Sequence, residues 1–257
     1  SIDFDPGAGT ANFYQGGSVF TAGFVCKLDS NGNYLWARNF SSIAMGGTDI
    51  VTDRTGNVYF TGSFADSVDF DPGPGEFYLW QKQFQIFACK LTSSGDFIWA
   101  GQFGGYAADR PGKIALDSKN NMYISGFLKG AGDVDPGAAV VTIPTGNKWV
   151  PGFVCKLDSS GNFITVLSSG LAGNSAEDIA IDAADNLYIA GLYVDSTDLD
   201  GGPGTLTLAT KGTTDVFVSK HNPSLQPVWA GTFMGDADAY PSLAVDRYQN
   251  IFVQGLF

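Results

Sequence analysis

Apolar residues in this chain come in short bursts, many alternating with polar residues at period two, that break off at Gly, Asn or Asp. Four bursts follow one another: Asp49 to Thr52, Val58 to Phe64, Phe87 to Leu91 and Phe97 to Phe103. "DRTGN" joins the first pair and "TSSGD" the second, and short turns of this kind close antiparallel hairpins. The pattern predicts a four-stranded antiparallel meander, innermost strand first, with a long segment between its second and third strands.

The meander returns. "SIDFDPGAG" at Ser1, "SVDFDPGPG" at Ser67, "AGDVDPGAA" at Ala131 and "STDLDGGPG" at Ser196 place Asp3, Asp69, Asp133 and Asp198 at separations of 66, 64 and 65 residues. A second marker follows each: "GFVCKLDSNGNYLWARNF", "IFACKLTSSGDFIWAGQF", "GFVCKLDSSGNFITVLSS" and "VFVSKHNPSLQPVWAGTF". A third closes each unit: "DIVTDRTGNVYFTGSF", "KIALDSKNNMYISGFL", "DIAIDAADNLYIAGLY" and "SLAVDRYQNIFVQGLF". A period of about 65 residues marks an array of supersecondary units, and four-stranded antiparallel sheets repeated radially are the blades of a β-propeller. The expected fold class is therefore all-β, a single propeller domain over residues 1–257 with repeats 1–66, 67–130, 131–195 and 196–257. A β-solenoid fits less well, because its coils are shorter and its strands parallel.

The repeats resemble a known family. "DIAIDAADNLYIAG" and "GFVCKLDSNGNYLWA" are similar to the segments "DIAVDSSGNVYVTG" and "FVAKLDSSGNLLWA" of the bacterial seven-bladed β-propeller-type repeats, and the likeness covers all four units. The resemblance implies secreted or cell-surface bacterial proteins, including large ones exported by the type IX pathway, and implies no defined catalytic residues. Two features depart from it: there are four units, and the third has "FITVLSS" where the others carry Trp. The chain also starts and stops at one phase of the repeat. If the ring closes with four blades, Ser242 to Val245 and Ile251 to Phe257 complete the blade begun by Phe24 to Leu28 and Tyr34 to Phe40, a two-plus-two clasp without an open edge. The alternative is a segment of a larger propeller.

Composition narrows the partners. Net charge is −12, and 24 of the 26 acidic residues are Asp, so acid sits where turns want it rather than on helix faces. That charge disfavours nucleic acid or an anionic membrane, and no apolar run approaches the roughly 18 residues that span a bilayer. A signal peptide removed before Ser1 is compatible with the expected extracellular or cell-surface location.

Most residues with chemical potential sit on the repeat. Cys26, Cys89 and Cys155 hold one position, with Ser219 in the fourth unit; a blade spacing of roughly 10 Å is too far for a disulfide, so they read as small core residues. Trp36, Trp99 and Trp229 share another position and read as core or interblade packing. His221 is the lone histidine, and no nucleophile motif accompanies it. Asp29, Asp53, Asp117, Asp158, Asp182 and Asp246 head hairpin turns, where a carboxylate can accept the amides that follow.

The corners are the open question. On an extended strand two aspartates two apart point to one side, which makes the pairs Asp3 and Asp5, Asp69 and Asp71, Asp133 and Asp135, and Asp198 and Asp200 candidate calcium donors. Calcium wants six to eight oxygens, and no EF-hand spacing supplies them, so the competing reading is a corner in which the aspartates cap turn amides.

The short turns should share one face of the disc, and the corners and blade links the other. Variable loops are where binding residues concentrate, which nominates Tyr106, Asp109, Asp236, Asp238 and Tyr240. Trp80 and Trp149 lie in variable segments and are further contact candidates. The expected function is a non-catalytic propeller module of an exported or cell-surface bacterial protein, a scaffold for protein or glycan binding within a larger polypeptide or assembly. It needs no cofactor. The alternative is a propeller hydrolase or lyase working with carboxylates, with calcium as its cofactor, on the long-loop face.

Overall fold

A computed structural model of the chain describes residues 2–13, 22–40, 44–105, 109–143, 152–168, 175–194, 197–199, 206–210, 214–233 and 241–255. Among these every regular element is a β-strand, and every strand pair is antiparallel. The chain forms two compact units, Ser1–Gln102 and Phe103–Phe257.

The first unit opens with the two-residue strands β1 (Ile2–Asp3) and β2 (Asn12–Phe13), paired with each other. The hairpin β3 (Gly23–Leu28) and β4 (Tyr34–Phe40) follows. The meander comes next: β5 (Ala44–Thr52), β6 (Val58–Asp69), β7 (Tyr78–Leu91) and β8 (Phe97–Gly105), paired in that order, with β8 running on into the second unit. All four expected strands are present. The sequence pattern stopped β6 at Phe64 and started β7 at Phe87, whereas the strands continue to Asp69 and Tyr78 across a bulge at Asp66.

The middle strands do not alternate. Val58 to Thr61 on β6 and Ile86 to Leu91 on β7 are buried in unbroken runs, because both faces of these strands are covered. Their core gathers Phe40, Phe60, Phe64, Phe70 and Phe87 with Val25, Val68 and Leu91. Phe60 and Phe87 meet edge to face at 5.7 Å, and Phe64 and Phe70 at 5.6 Å.

The second unit contains β9 (Arg110–Leu116), β10 (Met122–Phe127), β11 (Gly132–Asp133), β12 (Gly152–Leu157) and β13 (Phe163–Leu167). The sheet order is β9-β10-β12-β13, while β11 pairs with the end of β8. The next meander is β14 (Asp178–Ile181), β15 (Leu187–Tyr193), β18 (Asp215–His221) and β19 (Pro227–Phe233), with the short pair β16 (Thr197–Asp198) and β17 (Thr207–Leu208) standing at its corner. The hairpin β20 (Ser242–Val245) and β21 (Ile251–Gln254) completes the unit. First strands of successive sheets lie side by side, β9 against β14 and β14 against β20. That arrangement, with four-stranded antiparallel meanders at a fixed period, is that of propeller blades. The core between them joins Tyr123 and Val154 to Ile179, Leu187, Ile189 and Phe217.

Candidate functional site

The corners are built by carboxylates that accept backbone amides. Asp3 Oδ1 takes the amides of Asp5 at 3.0 Å and Ala11 at 2.8 Å. Asp69 Oδ1 takes those of Asp71 at 3.0 Å and Phe77 at 2.8 Å, and Asp133 Oδ1 those of Asp135 at 3.0 Å and Val141 at 2.9 Å. In the fourth repeat Asp198 Oδ1 accepts Leu206 N at 2.7 Å.

The second aspartate turns the chain. Asp5, Asp71 and Asp135 each accept the amide two residues on, from Gly7 at 2.8 Å, Gly73 at 2.8 Å and Gly137 at 2.7 Å. Gly75 lies so close to the Asp71 carboxylate that a Cβ there would collide with it, which is why glycine suits that position. The residue between the two acids points the other way, and Phe4, Phe70, Val134 and Leu199 are all buried. Each also donates its amide across the corner, Phe4 to Ala11 O at 3.1 Å and Phe70 to Phe77 O at 2.9 Å, for example. The motif thus pins an apolar plug into the blade and stitches the loop above it. The Cys155 thiol hydrogen-bonds the Val134 carbonyl at 3.3 Å, and Cys26 that of Phe4 at 3.8 Å, so two of the repeated cysteines pack beneath these plugs. Burial pushes the Cys155 thiol well above its ordinary value.

Asp3 carries its charge readily, because the Ala11 and Asp5 amides hold its carboxyl below the usual range. Among the described residues no group of three or more His, Cys, Asp or Glu side chains is placed to hold a metal ion. Asp200 lies outside the described residues.

The hairpin-turn aspartates follow one scheme. Asp117 Oδ1 accepts the amides of Lys119 and Asn121, each at 2.9 Å, and its Oδ2 accepts Asn121 Nδ2 at 2.7 Å. Asp29, Asp53, Asp158, Asp182 and Asp246 repeat it, with Asn four residues on in every case. Burial works against the charge of Asp182, but its bonds to Asn186 and the Ala184 amide outweigh it and hold the carboxyl below the usual range. The fourth position of each turn takes a left-handed backbone, filled by Gly56 at φ 84° in one turn and by Gln249 at φ 66° in another.

One recurring group was not read from the sequence. Lys156 of β12 lies over the Tyr123 ring of β10 at 4.7 Å and reaches Asp117 Oδ2 at 3.2 Å. Lys220 does the same with Tyr188 at 4.9 Å and Asp182 at 3.6 Å, and Lys90 stands 4.7 Å from the Tyr59 ring. Tyr188 also donates its hydroxyl to Asp182 Oδ2 at 3.0 Å. These lysines bind a third strand to the turn before the second. Their signal was present: Lys recurs four times in "CKL" or "SKH" in a chain with only 14 Lys and Arg. Lys27, in the first copy, instead donates to Ser93 O at 2.9 Å, and Trp36 Nε1 shares that carbonyl at 3.1 Å. Arg38 donates to Gly95 O and Ser94 O, each at 2.9 Å. The repeated Trp36 therefore serves packing between neighbouring sheets.

His221 is buried on β18, with Nε2 3.0 Å from Ser219 Oγ and Nδ1 3.4 Å from Leu225 O. Both partners are close along the chain, and the pair fills the space that Cys and Leu take in the other repeats.

Of the contact candidates, Trp80 stands on β7 and is 62% exposed. Asp109 is buried, accepting the amides of Gly105 at 2.9 Å and Lys129 at 2.7 Å, and burial holds its carboxyl above the ordinary range. It ties the link between two sheets to the loop after β10. Tyr106, Trp149, Asp236, Asp238 and Tyr240 lie outside the described residues.

No protein-family model matches the chain. Among curated proteins it is similar to one described as an uncharacterized WD repeat-containing protein of Acanthamoeba polyphaga mimivirus, 22% identical over 193 residues. The match takes in 65% of this chain, and the chain spans 14% of that protein's length. At that identity the likeness bears on the repeat fold, and it agrees with the antiparallel blades described above.

Proposed function

We propose that this chain is a non-catalytic β-propeller module that serves as a scaffold for protein contacts. The observation that carries the reading is the use made of the recurring carboxylates: the aspartates of the described corners and turns accept backbone amides of their own loops. Such groups hold loops in place. The WD-repeat likeness supports an interaction module, and the resemblance of the repeats to those of exported bacterial proteins extends the reading to the cell exterior or surface. Glycans are a second class of partner for the same loops, favoured by the exposed ring of Trp80.

A panel of chromogenic glycosides and esters, assayed with and without added calcium, tests the non-catalytic part. The expected result is no turnover above that of heat-inactivated protein. Saturable turnover abolished by one Asp→Asn substitution would overturn it.

A further inference from the structure

The second repeat carries two exposed aromatic residues beside its corner. On the β6–β7 hairpin Asp69 pairs with Tyr78 and Ser67 with Trp80, beyond a bulge where Asp66 takes φ 62°. Strand alternation turns Val68 inward, fully buried, and leaves Tyr78 59% and Trp80 62% exposed on the opposite side. The residues that pair with the first corner aspartate elsewhere are Asn12, Thr142 and Thr207. The fold therefore does not require an aromatic there.

Negative charge outweighs positive in the segment that carries these rings. The segment Asp66 to Lys82 holds four carboxylates, Asp66, Asp69, Asp71 and Glu76, against one cation, Lys82. Elsewhere the chain covers its own rings with cations, Lys90 over Tyr59, Lys156 over Tyr123 and Arg38 over Trp36. Among the described residues none stacks on Tyr78 or Trp80.

We propose that Tyr78 and Trp80 form a docking surface for an arginine-bearing segment of a basic protein partner. A guanidinium over the Trp80 ring gains cation–π attraction, and the carboxylates beside it draw the partner in and favour its charge. A neutral sugar stacks on the same rings but carries no charge for the surplus of carboxylates to attract. The inference rests on the scaffold reading and names its partner class.

The probes are a synthetic peptide of alternating Arg and Gly, its Glu–Gly counterpart and a cello-oligosaccharide, each titrated into the full chain by calorimetry. The Arg–Gly peptide should bind saturably, more weakly as salt rises, and about tenfold tighter than Glu–Gly. Trp80→Ala should cost about tenfold in that affinity with an unchanged melting temperature, while Trp80→Phe retains most of it. Equal affinity for wild type and Trp80→Ala, no saturable Arg–Gly binding, or binding of the oligosaccharide in its place overturns the assignment. Those outcomes leave the non-catalytic scaffold standing, since it fails on turnover instead.

Discussion

Asp69 Oδ1 accepts the amide of Phe77, eight residues along the chain, at 2.8 Å. The equivalent bond closes the corner of each of the other repeats, from Asp3 to Ala11, Asp133 to Val141 and Asp198 to Leu206. A single oxygen thus fixes the width of a loop whose other residues vary.

Replacing that oxygen should be costly. Asp133→Ala strands two amides that have been positioned for it, so it should destabilise by about 1–3 kcal/mol in urea unfolding. Asp133→Asn keeps an acceptor and should lose less, and Asp135→Ala, which releases the Gly137 amide alone, should fall between wild type and Asp133→Ala. Equal losses for all three would mean that the bonds are not what holds the corner.

His221 gives the fold a pH dependence. Burial pushes its imidazole down to about 4 from an ordinary value of 6.5. Between those values the unfolded chain binds a proton that the folded chain refuses. Stability from this group is complete above about pH 6.5 and falls by about 3 kcal/mol as pH drops to about 4. His221→Leu, which restores the residue of the other three repeats, should flatten that stretch of the stability profile. Parallel profiles for the two proteins would show that His221 is not its source.

Gln249 is exposed at a left-handed turn position, φ 66°. Gln249→Gly should stabilise by about 0.5–1 kcal/mol, the relief of the Cβ clash less the added chain entropy. Gly56→Ala, at φ 84°, should do the reverse. Thermal melts of the two variants check both signs.

Much of this was legible in the sequence because the repeat averages out local ambiguity. Four copies of one pattern fixed the strand order, the hairpin turns and the turn-capping role of Asp29 or Asp182. The length of β6 and β7 was not legible: "ADSVD" and "EFYLWQKQF" read as loop because a bulge at Asp66 interrupts the alternation. Asp109 looked like a loop residue free to bind, and only the three-dimensional meeting of Gly105 with Lys129 shows what occupies its carboxylate. The lysines over Tyr123 and Tyr188 are not legible in the sequence because a cation in a buried strand goes against the hydrophobic pattern. Trp80 lies in a variable segment of the repeat, and the structure sets it exposed on β7.

The central claim is that the corner carboxylates serve the backbone. Calorimetric titration of calcium into the chelator-treated chain tests it most directly, alongside melts with and without chelator. The account predicts no saturable heat and an unchanged melting temperature. Saturable binding that raises the melting temperature and is lost in Asp69→Asn and Asp71→Asn would contradict it, and would make the corners cation sites.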